Sequence, residues 1–143
     1  EEVEFLKVFV TGGTGRVGAN LVKSLVERGY KVRCTILPDD PKAKKLGQFD
    51  VEVRKADILD YERLRESMDG IEAVCHLAAL LPGLEPNPFR QFEVNLKGTF
   101  HLLEAASKHA KDIQRFVFTG TDDLYPSYKP KYYPIDENTP PCP

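Results

Sequence analysis

The sequence predicts an α/β fold, with one parallel sheet in the order 3-2-1-4-5 and helices on both faces. Three observations lead there. The apolar run Val8-Phe9-Val10 passes through Thr11 into Gly12, Gly15 and Gly18, three apart, and a helical pattern follows at once. Strand-like and helix-like segments then alternate, which calls for crossover connections and so for parallel strands. Ala73 to Ala79 and Phe116 to Phe118 are nearly continuous apolar runs, as strands covered on both faces are, and both are expected near the sheet centre.

Lys7 to Val10 is the first strand, and each glycine after it has a physical task. Gly12 permits the tight turn, Gly15 lets backbone approach a diphosphate with no Cβ between, and Gly18 lets the helix pack closely on the sheet. The helix N-terminus presents unpaired N–H groups and a partial charge of about half a proton, which suits a ligand carrying two phosphates. Gly12, Gly15, Arg16, Val17 and Gly18 therefore read as the phosphate cradle of a dinucleotide in a Rossmann-like domain. A purely structural turn is the competing reading, and a P-loop is excluded because no Gly-Lys-Ser or Gly-Lys-Thr occurs.

Val17, Leu21, Val22, Leu25 and Val26 keep helical spacing until Gly29 ends the helix. Lys31 to Leu37 and Val51 to Lys55 alternate as strands. Asp60 is placed to cap a helix carrying Leu64 and Met68, with Gly70 as its stop, and Ile71 to Leu77 is the fourth strand. Pro88 to about Ala110 reads as one long helix with Phe92, Leu96, Phe100, Leu103 and Ala106 on a single stripe, and Arg115 to Thr119 is the fifth strand. Right-handed crossovers and a glycine turn at the switch point give the stated strand order. Ligands bind beyond the C-terminal ends of such strands, so the site should be lined by the glycine turn, Asp57, Leu77 to Leu81 and Thr119 to Thr121. The loop Leu80 to Pro88, with three prolines and one glycine, is either a cover for the reacting end or an inert connector.

With 143 residues, 41% hydrophobic and 29% charged, the chain can bury one core. A net charge of −2 gives no general attraction to nucleic acid, and the basic Lys42, Lys44 and Lys45 sit beside Asp39 and Asp40. No membrane-length apolar stretch or signal-peptide pattern occurs, so the expected address is the cytoplasm. Cys34, Cys75 and Cys142 are odd in number and lack a Cys-x-x-Cys, which argues against disulfides and zinc. His76, His101 and His109 form no metal or triad spacing and read as packing or surface residues.

Residues 1–125 form the expected dinucleotide-binding domain. Residues 126–143 hold six prolines and no period, and look like a segment leading toward a catalytic and substrate-binding part that is missing.

The motifs Thr11-Gly-Gly-Thr-Gly-Arg-Val-Gly18, Ala56-Asp-Ile-Leu-Asp60, Val74-Cys-His-Leu-Ala-Ala79, Val94-Asn-Leu-Lys-Gly-Thr99 and Phe116 to Tyr125 occur in this order over nearly the whole chain. Together they resemble the extended short-chain dehydrogenase/reductase superfamily, and its NAD-dependent epimerase/dehydratase branch in particular. The resemblance implies that Asp57, through its carboxylate, and Ile58, through its backbone, hold an adenine. It implies that Ala78 and Ala79 are small because the cofactor passes over the strand end beside Leu77 and Thr119, and that Asn95 stabilises the fourth-strand region. It also puts Thr121, four residues before Tyr125, where a hydroxyl bonds the reacting oxygen of the substrate. Gly120 and Pro126 depart from the pattern. The Tyr-x-x-x-Lys helix is missing, since Tyr125 and Lys129 have its spacing but are bracketed by Pro126 and Pro130.

The cofactor expected is NAD or NADP. Ile36 and Leu37 stand where a selecting Asp or Arg is usual, leaving Asp39 for a ribose hydroxyl or Arg33, Lys42 or Lys44 for a phosphate. The implied function is hydride transfer on a small-molecule hydroxyl or ketone, with a nucleotide sugar first and a steroid or flavonoid-like substrate second. A non-catalytic dinucleotide-sensing or interaction module is the alternative. A homodimer through the long helix is the remaining partner expected.

Overall fold

The computed structural model describes residues 6–125 and 134–141. Lys129, Pro126, Pro130 and Cys142, on which parts of the sequence reading rest, lie outside them. Strands β1 (Lys7–Thr11), β2 (Lys31–Ile36), β3 (Val51–Lys55), β4 (Ala73–His76) and β5 (Arg115–Phe118) form one sheet in the order β3-β2-β1-β4-β5. Every pairing is parallel, with Val8 opposite Val32 and Ala73, and Val74 opposite Phe116.

Helices cover both faces. Alternate side chains of β1 and β2, Val8, Val10, Val32, Cys34 and Ile36, meet Val22 of α1 (Arg16–Glu27) and Leu46 of a 3-10 turn at Ala43–Gln48. Phe9 and Val74 point the other way, into Leu64 of α2 (Tyr61–Glu66), Met68, Ile71 and the helix that follows β4. Period-two alternation on the strands thus divides the apolar residues between two cores. Asp60 caps α2 as expected, accepting the Arg63 N–H at 3.2 Å, and Gly70 ends the turn after it at φ +67°.

The long helix runs from Pro88 to Lys108 as α3 (Pro88–Phe92), a π-helical turn at Glu93–Gly98, and α4 (Thr99–Lys108). Its buried face is Gly98, Leu102, Ala105 and Ala106, and of the stripe read from the sequence only Ala106 belongs to it. Phe92, Leu96, Phe100 and Leu103 are about half to two-thirds exposed: 62%, 58%, 63% and 48%. Small residues bring the helix against the sheet side, with the Gly98 position so near Ile58 that a Cβ there would lie 2.5 Å from its Cδ1. The bulky stripe is turned outward as a consequence.

The expected central place of Phe116 to Phe118 is also corrected. β5 is an edge strand among the described residues, and Val117 and Phe118 are 52% and 58% exposed. Apolar composition reported a strand with two apolar faces, which is not the same as a strand with two neighbours.

Polar contacts hold the opposite end of the sheet. Arg33 is buried, and its Nη1 donates to the carbonyls of Ser67 (2.8 Å) and Asp69 (2.7 Å) after α2. Its Nε lies 2.8 Å from Glu52 Oε2 as an ion pair without hydrogen-bond alignment, and Lys7 Nζ approaches the same oxygen at 3.0 Å. The Arg33 guanidinium beside it, above all, holds the Glu52 carboxyl down at about 2. Arg33→Ala would leave two carbonyls without their donor and take from Glu52 one of its cations, Lys7 and Arg54 remaining, a cost of about 3 kcal/mol. Urea denaturation should show that loss against a change under about 0.5 kcal/mol for exposed Arg115→Ala. Equal midpoints for the two variants would discard the clamp.

Candidate functional site

The C-terminal ends of β1 and β4 meet at one place, and the glycine turn is its floor. Thr11 closes β1, and Gly12 follows at φ +71°, a conformation open to glycine and strained for other residues. A Cβ on Gly12 would lie 2.7 Å from Ala78 N and 2.8 Å from the Leu77 carbonyl carbon, so turn and β4 end are in direct backbone contact. The close approach at Gly18 is to the turn that leaves β1. A Cβ there would lie 2.0 Å from Gly12 O, so its bare Cα lets α1 sit on the turn itself.

Gly15 is the N-cap of α1, in extended conformation, with no side chain capping the first turn and no acidic residue in it. Arg16 and Val17, both exposed, occupy that turn. Uncapped N–H groups with a cation beside them are a fit for an anionic diphosphate, and a Cβ on Gly15 would meet Gly12 O at 3.1 Å.

Leu77, Ala78 and Thr119 stand beside this floor, and the other residues named from the sequence follow the ends of their own strands or helices. Leu77 and Ala78 are half-buried at the end of β4, and Ala79 is exposed. The Thr119 N–H donates to His76 O at 3.1 Å and so stays beside that end. Asp57 follows β3; its Oδ1 accepts the Leu59 N–H at 2.9 Å, and Oδ2 is 3.6 Å from Arg90 Nη2. Ile58 sends its side chain into the core, and His101 Nδ1 lies 3.2 Å from its carbonyl oxygen. Thr121 sits beyond β5 as the cap of a short turn, donating to Asp123 Oδ2 and accepting the Asp123 N–H, both at 3.2 Å.

Two assignments around the ribose change. Arg33 is buried in the clamp described above and does not reach this end. Asp40, rather than Asp39, turns back to the glycine turn: Thr14 Oγ1 donates to Asp40 Oδ2 at 2.6 Å, and Lys45 Nζ donates to Thr14 O at 3.2 Å. The sequence reading named Asp39 alone for this place, and it is the loop path after β2 that brings Asp40 to the turn instead.

Asn95 lies in the π turn, and its amide clasps one residue of the opposing loop. Oδ1 accepts the Leu80 N–H at 2.7 Å, and Nδ2 donates to Leu80 O at 2.8 Å. π turns are rare and gather at functional sites. His76, read from sequence as packing, is the residue that reading missed. It is buried between two hydroxyls, Thr11 Oγ1 at 2.7 Å from Nδ1 and Thr99 Oγ1 at 2.8 Å from Nε2. The sequence signal was available in the alternation, which turns His76 and Thr11 to the same side of neighbouring strands.

Burial pushes the His76 imidazole down to about 4. Burial likewise pushes the Cys34 thiol up to about 12, so it is an apolar filler beneath Gly13. No group of three or more His, Cys, Asp or Glu side chains suited to a metal occurs among the described residues. No helix among them is long and apolar enough to cross a membrane.

Comparison with known proteins agrees with this geometry. Residues 8–143 match the model of the NAD dependent epimerase/dehydratase family. The chain is 36% identical over 132 residues to a 3 beta-hydroxysteroid dehydrogenase/Delta 5→4-isomerase of Mycobacterium tuberculosis, covering 85% of this chain and 33% of that protein. It is 37% identical over 120 residues to cinnamoyl-CoA reductase 1 of Petunia hybrida, covering 80% and 34%. The chain thus spans about a third of the length of these curated relatives. Among solved structures, UDP-glucose-4-epimerase from Stenotrophomonas maltophila with bound NAD and formylated UDP-arabinopyranose superposes with a TM-score of 0.82 at 26% identity, over 96% of this chain and 43% of that one. A short-chain dehydrogenase/reductase superfamily protein from Agrobacterium tumefaciens with bound NAD gives 0.76 at 34% identity, over 96% and 39%.

A neutral buried His76 has an acid-stability consequence. The unfolded chain takes up its proton near 6.5 and the folded chain only near 4, so stability present above pH 6.5 is lost as pH falls through that window. The loss approaches roughly 3 kcal/mol. Urea midpoints measured from pH 7 to 4.5 should fall for the native chain and fall less for His76→Gln; parallel curves would contradict it.

Proposed function

The chain belongs to the NAD dependent epimerase/dehydratase family, and we propose that it is the dinucleotide-binding part of an extended short-chain oxidoreductase that acts by hydride transfer. The observation that carries this is the glycine turn pressed on the end of β4, under a helix N-terminus that no side chain caps. Gly12, Gly15, Gly18, Arg16 and Val17 would hold the diphosphate, and Leu77, Ala78, Ala79 and Thr119 would line the path across the strand ends. Asp57 and Ile58 would hold the adenine, and Asn95 would fix the loop at Leu80 beside it.

NAD or NADP supplies the hydride acceptor or donor when bound. The chain's own residues supply placement and neutralise charge. Thr121, whose hydroxyl is held by Asp123, is the group that would bond the substrate oxygen. The proton would be moved by a Tyr-x-x-x-Lys helix, for which the sequence offers only the proline-bracketed Tyr125 and Lys129, so the expected behaviour of this chain by itself is cofactor binding without turnover. Asp40 beside Thr14 favours a ribose hydroxyl and hence NAD.

A steroid or aromatic carbonyl substrate is the better supported class for the whole protein, since the curated relatives of that kind reach 36–37% identity against 26% for the sugar-nucleotide epimerase. A cytoplasmic address and a homodimer that uses the outward stripe of Phe92, Leu96, Phe100 and Leu103 belong to the same reading.

Calorimetric titration with NAD and then NADP, repeated on Gly15→Val, tests the cofactor site. NAD should bind more tightly, and the variant, folded by circular dichroism, should lose at least about tenfold in affinity because its side chain fills the cradle. Binding unchanged in the variant, or no binding by the native chain, would reject the site. The second expectation is no change in NADH absorbance when the chain is given NAD with a hydroxysteroid or a sugar nucleotide. Steady turnover would remove the claim that the proton-transfer residues lie elsewhere.

A further inference from the structure

We propose that His76 is a positioning residue that ties the glycine turn to the π turn of Asn95 through a hydrogen-bond chain with one permitted polarity. The inference rests on the reading that this end of the sheet holds the cofactor. It adds a residue that the motifs do not assign.

The polarity follows from the two ends. At one end the Leu77 and Ala78 backbone N–H groups, both 3.2 Å from Thr11 Oγ1, can only donate. At the other end the Asn95 carbonyl, 2.6 Å from Thr99 Oγ1, can only accept. The Ala78 N–H and the Leu77 N–H, the latter shared with the Thr11 carbonyl at 3.2 Å, lie on the acceptor side of Thr11 Oγ1, which leaves its proton for His76 Nδ1 at 2.7 Å. Thr99 spends its proton on Asn95 O, so it must accept from His76 Nε2 at 2.8 Å. His76 is therefore neutral, with hydrogen on Nε2 and none on Nδ1.

An imidazole suits this place because it carries an acceptor and a donor on opposite edges of one rigid ring. Asn matches Nδ1 but does not reach Thr99, and Gln matches Nε2 but leaves Thr11 without its acceptor. The ring is buried, with Phe118 of β5 packed on it at 5.6 Å between centroids. The chain begins at the residue before Gly12 and ends at the residue whose amide clasps Leu80 at 2.7 and 2.8 Å. Three elements, the ends of β1 and β4 and the π turn, are thereby held in one register.

The test is nuclear magnetic resonance on the 15N-labelled chain. The imidazole spectrum should show a bare Nδ1 and a protonated Nε2, unchanged from about pH 8 to 5.5, whereas the opposite tautomer or a midpoint near 6.5 would overturn the assignment. Amide exchange then reads the coupling. Thr99→Val should speed exchange of the Leu80 N–H about tenfold and leave the Val22 amide, in the other core, at its native rate. Thr99→Ser, which keeps the hydroxyl, should restore Leu80. An unchanged Leu80, or equal acceleration of Leu80 and Val22, would overturn the coupling, the second result marking a structural role alone. NAD titration of the same variants should show about tenfold weaker binding for Thr99→Val than for Thr99→Ser. Failure of the native chain to bind NAD would reject the proposed function, while the exchange pattern would still decide this inference.

Discussion

Backbone contact between the glycine turn and the end of β4 is the constraint from which the site follows. A Cβ at Gly12 would meet Ala78 N at 2.7 Å, and one at Gly18 would meet Gly12 O at 2.0 Å, so three segments of main chain share a space in which no side chain fits. Closing that space fixes where α1 begins and leaves its first N–H groups facing outward with no internal partner. The same contact brings Thr11 close enough to accept the Leu77 and Ala78 N–H groups that follow β4, so the turn is not free to move apart from the end of the neighbouring strand.

The two ends of the sheet solve opposite problems. At the end where β1 to β3 begin, charges are matched: Glu52 meets Arg33 and Lys7, and Arg33 takes the carbonyls that α2 leaves unpaired. At the end where the strands finish, the first donors of α1 are left uncapped, and the buried polar groups beneath the turn, Thr11 and His76, are neutral ones. A buried neutral His76 lets hydroxyls and backbone groups pair completely without placing a charge beneath an anionic ligand. The cost of this choice is sensitivity to acid, because the unfolded chain binds the proton that the folded chain refuses.

The long helix shows how one residue redistributes a whole face. Gly98 approaches Ile58 so closely that the small residues Ala105 and Ala106 become the contact surface, and the large apolar side chains are turned away from the core. The π turn in the same stretch widens the helix where Asn95 reaches the loop at Leu80. β5 beside it carries apolar side chains on both faces without a neighbour on its outer edge among the described residues. Both features leave large apolar side chains exposed.

Periodicity, glycine spacing and capping residues already specify the strand order, the five strands and the place of the turn, because each depends on residues close along the chain or on a fixed hand of crossover. The Asp60 cap and the Gly12 turn are legible for the same reason: their geometry is local. Which face of the long helix is buried is not local, since hydrophobicity favours the Phe92 stripe while the close approach at Gly98 decides for the other side. That Asp40 and not the expected Asp39 meets Thr14 depends on the path of a loop, and the fate of Arg33 on carbonyls more than thirty residues away. His76 belongs to the same class. Its residue type and strand position were visible, but its proton is placed by Thr11 and Thr99, which only folding brings to opposite edges of the ring.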